Sequence, residues 1–164
     1  MSIAQNFLAE LKQEAIATRK ILEAVPMDKT SWKPHDKSMT LGRLAVHVAE
    51  IPGWFVDTLD KDELDFSTGE YKPFEPKSTA ELIAYFDKEL KRAEEVLQRI
   101  SDDEMQRNWT MRSGDQIFFT LPKVQVARTW CLNHWYHHRA QLGVYLRLNN
   151  VALPGTYGPS ADAN

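Results

Sequence analysis

The sequence contains one cysteine, Cys131, among its 164 residues. An intrachain disulfide is therefore impossible, and a cysteine-rich zinc site is excluded. No uninterrupted apolar run is long enough to span a bilayer. The start, Met1-Ser2-Ile3-Ala4-Gln5-Asn6, lacks the basic residues and apolar stretch of a signal peptide. A cytoplasmic protein with no membrane partner is expected. Excess charge of one sign is also missing: 20 Lys and Arg face 23 Asp and Glu, giving a formal charge of -3. Scattered basic residues leave no nucleic-acid footprint. Among the glycines there is no GxGxxG, no P-loop and no GxSxG, so dinucleotide, nucleoside triphosphate and serine-hydrolase chemistry lack their usual loops.

What remains is helical periodicity in a chain of single-domain length, residues 1–164. In Ile3 to Val25, Phe7, Leu11, Ala15, Thr18 and Leu22 recur at spacings of three and four, and Pro26 ends the run. A second segment, Leu41 to Leu59, carries Leu44, His47, Val48, Ile51 and Phe55 on one stripe, with Thr40 as its N-cap. Pro52-Gly53 predicts a kink just after the histidine. Asp60 to Pro76 is acidic, proline-bearing and aperiodic, a long connection that permits a crossover. A third helix runs from Ser78 to Ile100, with Ser78 and Glu81 as a capping box and mixed charges on its outer faces. Short β-prone runs around Gly114 predict a small hairpin or irregular segment. The fourth helix spans Pro122 to Leu148, with proline at its first position. The expected class is all-α: a four-helix bundle with a long connection between helices 2 and 3.

Three of the five histidines fall between His134 and His138. A lone histidine on an apolar helix face reads as a buried neutral imidazole with a hydrogen-bond partner. His134 and His138, four apart, lie one above the other and would compete for scarce buried partners. A shared divalent ion satisfies both, and His47 is the remaining histidine on a helical apolar stripe. His137 pairs with His134 at the alternative spacing of three. However, the line Ala127, Cys131, His134, His138, Leu142 is the more apolar, which places His137 at the rim or in an outer hydrogen bond. Cys131, one turn before His134, reads as a small buried residue, with thiolate ligation as the second reading. Asn133 precedes His134, so the glutamate of HExxH is missing. Glu14 and Glu50 are expected on exposed faces, and neither is assigned a base role. Trp54, Trp130, Trp135 and Tyr145 read as core aromatics, with the wall of an apolar pocket as the alternative. Three histidine ligands would leave an open coordination position, the mark of a reactive rather than a structural metal site.

His134-Trp135-Tyr136-His137-His138-Arg139-Ala140-Gln141 resembles the His-x-x-His-His-Arg-Gly-Gln signature of the DinB/YfiT-like metalloenzymes, with Ala140 in place of the glycine. The segment from Met39 to Ala49 is similar to the family's second-helix motif, and Leu153-Pro154-Gly155-Thr156-Tyr157-Gly158-Pro159-Ser160 to its frequent ending. The resemblance implies a four-helix bundle and a metal, often nickel or zinc, held at His47, His134 and His138. It implies a homodimer as a common state. From the better-understood relatives it implies metal-dependent thiol S-transfer using bacillithiol or mycothiol, or isomerisation using such a thiol.

Three functions are thereby expected in competition. The first is a metal-dependent thiol S-transferase that takes a small thiol and a small-molecule electrophile. The second is a non-catalytic metal-binding bundle with a structural or sensing role. The third, a metal-dependent hydrolase, is disfavoured by the missing general base.

Overall fold

The computed structural model describes residues 2–69 and 71–162. Helix α1 spans Ile3–Glu23 and opens with a capping box, the Ser2 hydroxyl accepting from the Gln5 amide and the Gln5 side chain accepting from the Ser2 amide. Helix α2, Leu41–Glu50, begins at Thr40, whose hydroxyl accepts from the Arg43 amide at 3.2 Å. The kink expected at Pro52-Gly53 is a 3-10 turn over Ile51–Gly53, after which α3 continues over Trp54–Leu59. A side chain at Gly53 would collide with the carboxylate of Glu89, so this turn sits hard against the next long helix. That helix, α4, spans Thr79–Arg99. Its Ser78 cap accepts from the Glu81 amide, but Glu81 reaches back to the Lys77 amide rather than to Ser78.

The expected all-α class requires correction: the fold is mostly helical with a three-stranded sheet. After a short helix α5, Asp102–Met105, strands β2 (Asn108–Ser113) and β3 (Gln116–Pro122) form the hairpin, turning at Gly114 with a positive φ of 57°. The third strand, β1 (Glu63–Asp65), lies in the crossover and pairs parallel with β2. Three residues without a β-branched side chain carry no alternation to read. Position 63–65 is set instead by tertiary bonds. Asp65 accepts from the Gly114 amide at 3.0 Å and pairs with Arg112 at 2.6 Å, while Trp109 is fully buried and donates from its indole to the Asp57 carbonyl.

The last helical column also departs from a plain helix. Pro122 ends β3 and caps α6 (Lys123–Val126), so it precedes the helix rather than opening it. A π-helical stretch follows over Ala127–Asn133, and only then α7, His134–Leu148. α1 packs on α4, and α2 packs on α7. Leu11, Leu22, Leu41, Leu44, Phe86 and Trp135 are buried between these columns. The back of α7 is pinned by Arg139, which is buried and pairs with Glu14 at 2.6 Å. Glu14, expected exposed, is therefore buried, because Arg139 and the Tyr157 hydroxyl satisfy its carboxylate. Contrary to expectation, not all the charges of α4 are on outer faces: Glu89 is also buried and accepts from Arg92. Among the described residues no helix is long and apolar enough to cross a membrane.

Candidate metal site

α2 and α7 face each other across the upper core, and each presents histidine to the other. Residues 43, 47 and 50 share one side of α2, as spacings of four and three require. His134 and His138 share one side of α7 in the same way. The structure brings His47, His134 and His138 together, one nitrogen from each lying within 4.8 Å of the others. The Nε2 atoms of His47 and His134 are 3.1 Å apart. The His138 ring centroid is 4.5 Å from that of His47 and 4.4 Å from that of His134.

The outer nitrogens define which way the inner ones point. His47 Nδ1 lies 2.7 Å from Glu50 Oε1. Glu50 is acceptor-only as a carboxylate, so Nδ1 is the donor of that bond, the arrangement in which the Nε2 of a neutral ring turns its lone pair inward. His138 Nδ1 lies 2.8 Å from Gln141 Oε1, while the Gln141 amide donates to His137 Nε2 at 2.9 Å. That leaves His138 Nε2 also unprotonated. Burial, with the neighbouring His138 and His47 adding to it, pushes the His134 imidazole down to about 4. Burial likewise lowers His138, against the opposing bond to Gln141. Both rings are thus neutral at pH 7, the state a metal ion needs.

This donor set fits a divalent ion. Nitrogens around a tetrahedral zinc stand about 3.3 Å apart, from bond lengths near 2.05 Å, and the observed pair is at 3.1 Å. Two lone pairs aimed at one point repel unless a proton on one ring or an ion among the three lies between them. Imidazole alone does not select among zinc, nickel, copper and iron.

The carboxylate behind His47 is the largest departure from expectation. Glu50 was expected exposed, yet it is only 5% exposed. Arg43 Nη2 donates to its Oε1 at 3.0 Å, and the Tyr71 hydroxyl donates to Oε2. Burial pushes the carboxyl upward, but the bonds from His47 and Tyr71 and the Arg43 charge outweigh it and hold Glu50 below its ordinary value. Sequence spacing contained the signal for Glu50 and Arg43, at three and four residues from His47. Tyr71 had none, since it comes from the irregular crossover.

Cys131 does not join the histidines. It is fully buried, its Sγ 3.6 Å from Thr58 Oγ1, and burial pushes the thiol up to about 12. The π-helical stretch explains why an ideal-helix line through Cys131 and His134 fails: its wider turns rotate residues before His134 out of register. Trp130 reaches the site instead, stacked on Trp54 with centroids 5.1 Å apart, and both rings stand near His134. Trp135 is a core residue that donates to the Val48 carbonyl, and Tyr145 packs on Trp32. The histidines open into a cavity of about 540 Å³, walled by Trp54, Trp130, Phe66 and Tyr71.

A mostly helical fold with a small sheet, holding three converging histidines at the end of a cavity, defines a class of helical proteins with a candidate metal centre. The model of the DinB family matches residues 1–163, and the chain belongs to that family. A DinB-like protein from Bacillus cereus ATCC 10987 is 24% identical, with a TM-score of 0.72 over 93% of this chain and 97% of its own. A DinB-like protein from Bacillus subtilis (YjoA) is 15% identical, with a TM-score of 0.69 over 97% of this chain and 99% of its own. At these identities the likeness concerns the fold. No curated protein matches the chain.

Proposed function

We propose that His47, His134 and His138 bind a divalent ion, nickel or zinc, and that the protein is a metal-dependent thiol S-transferase. α1, α2 with α3, α4, and α6 with α7 would serve as the columns of a four-helix bundle around that ion, in a cytoplasmic homodimer. The observation that carries the reading is the convergence of three imidazoles on the floor of an accessible cavity. An ion held by His47, His134 and His138 would act as a Lewis acid that lowers the pKa of a small thiol; the thiol would release its proton to solvent, and its sulfur would bond to an electrophilic carbon as that carbon's bond to a leaving group breaks.

The chain's own residues orient and shield. Glu50 and Gln141 hold His47 and His138 with their lone pairs inward. Trp54 and Trp130 form an apolar wall that excludes water from one side and offers flat faces to an electrophile. Glu50 already accepts from His47, Arg43 and Tyr71, so it is committed to holding these groups. That commitment favours a reaction in which the thiol supplies the nucleophile over a hydrolysis that would need a free base.

The test has two stages. Elemental analysis should find about one divalent ion per chain, and His138→Ala should lose it while retaining helical circular dichroism. Unchanged metal content in that variant would overturn the ligand set. Metal-loaded protein should then conjugate a small thiol to an electrophile from a panel of halides and epoxides. Rates equal to free metal ion throughout would overturn the transferase reading and leave a metal-binding protein.

A further inference from the structure

We propose that Arg43 is a recognition residue for a carboxylate on the small molecule that enters the histidine cavity, and that Tyr71 caps it in the ligand-free arrangement. The inference rests on the reading of the cavity as a substrate site and adds the substrate's chemical class.

Arg43 lines the same cavity as the three histidines. Its Nη2 is occupied, donating to Glu50 at 3.0 Å and to the Tyr71 hydroxyl at 2.9 Å. Its Nη1 is buried and has no hydrogen-bond partner among the described residues, the one such side-chain nitrogen or oxygen there. A guanidinium nitrogen cannot lose its proton to relieve this, and its N–H groups accept nothing, so only an acceptor satisfies it. An anionic acceptor does so best, because planar paired donors match a carboxylate.

The position suits a molecule that also reaches the histidines. Arg43 Nη2 is 3.4 Å from His47 Nδ1, so the guanidinium and the inward Nε2 are separated by the width of one imidazole ring. A chain of two or three carbons spans that gap. The charges nearby are already compensated. Glu50 faces Arg43 itself; Asp57 pairs with Lys61 at 2.6 Å and Asp65 with Arg112 at 2.6 Å. A divalent ion on three neutral ligands would leave the cavity positive and favour an acid further.

Nη1 is covered, so the acid needs something to yield. Tyr71 stands over the guanidinium, 5.4 Å from its carbon to the ring centre, yet is 63% exposed. It belongs to the aperiodic crossover, without helix or strand bonds to hold it. Its hydroxyl accepts from Nη2, the nitrogen beside the unpartnered Nη1, so a carboxylate bridging the two nitrogens would take its place. Tyr71 is thus the part of the cover that exchanges with ligand.

The experiment compares acids with neutral amides of the same shape. Zinc-loaded protein is titrated with 3-mercaptopropionate and 3-mercaptopropionamide, and metal-free protein with propionate and propionamide, where no ion can take the carboxylate. Wild type should favour each acid by roughly ten- to a hundredfold. Compared at equal metal occupancy in the thiol pair and without metal in the other, Arg43→Met should abolish the preference in both pairs, and Tyr71→Phe should tighten acid binding by several-fold. If the thiol pair binds no better than the thiol-free pair while the acid preference vanishes in Arg43→Met, the Arg43 assignment stands and the thiol reading falls. Absence of an acid preference in wild type, or its persistence in Arg43→Met, overturns the assignment. Should Arg43→Met fail to fold, unchanged acid affinity in Tyr71→Phe overturns it instead.

Discussion

His47 and His138 reach one point from opposite walls, but they are held by different means. Behind His47 stands a carboxylate, and behind that an arginine and a tyrosine from two separate stretches of chain. Behind His138 stands the neutral amide of Gln141, three residues further along the same helix, with His137 beyond it. The α2 arm is therefore charged and depends on the crossover lying where it does. The α7 arm is neutral and local. A carboxylate partner raises the basicity of a metal-bound imidazole, whereas an amide mainly orients it. The two arms should differ in how much each contributes to holding an ion.

Breaking the charged arm tests this most strongly. Glu50→Gln keeps an acceptor for His47 but removes the negative charge and leaves Arg43 uncompensated beside the ion. Divalent-metal affinity, measured by competition with a chromophoric chelator, should fall roughly 10- to 100-fold. An affinity within twofold of wild type would make Glu50 a packing residue only. The same variant should lose most of the gain in melting temperature that added metal confers on wild type, since that gain follows the occupancy of the folded state.

The two arms were also unequally legible in the sequence. Helical spacing alone aligned His134 with His138, because both lie on one helix, whereas Gln141 as the partner of His138 Nδ1 came only with the structure. The pairing with His47 followed from its place on an apolar stripe. Glu50 was misread as exposed, because an acidic residue at a helix end is ordinarily solvated. Only the fold reveals that Arg43 and Tyr71 compensate it. The crossover hid most. Its strand β1 exists through its pairing with β2 and the bonds of Asp65, and Tyr71 arrives from a stretch without periodicity. The helices were readable because their signal is local; the sheet was missed in part because β1 is tertiary in origin.

Breaking the neutral arm should cost less. Gln141→Leu removes the acceptor for His138 Nδ1 and frees His137. His138 can then rotate or exchange tautomer, and a fraction of the protein presents a protonated Nε2 inward. Metal affinity should drop by roughly three- to tenfold, at the weak end of the range for outer-shell partners. His137→Ala, one bond further out, should change affinity by less than about twofold. An effect of Gln141→Leu equal to that of Glu50→Gln would show that orientation, not charge, dominates both arms.

The smallest expected effect sharpens the boundary of the site itself. Cys131 sits in the π-helical stretch that leads into α7, buried against Thr58 of α3. With its thiol pushed up to about 12, the thiolate fraction at pH 8 is on the order of 10⁻⁴, and the reactive species is the thiolate. A disulfide reagent should therefore label native protein only at the rate of opening, and one thiol per chain after denaturation. Because Cys131 faces Thr58 rather than the histidines, saturating metal should alter that slow rate only through overall stability, in parallel with proteolytic resistance. Rapid labelling that metal specifically suppresses would instead make Cys131 a fourth ligand and close the open position on which the transferase reading depends.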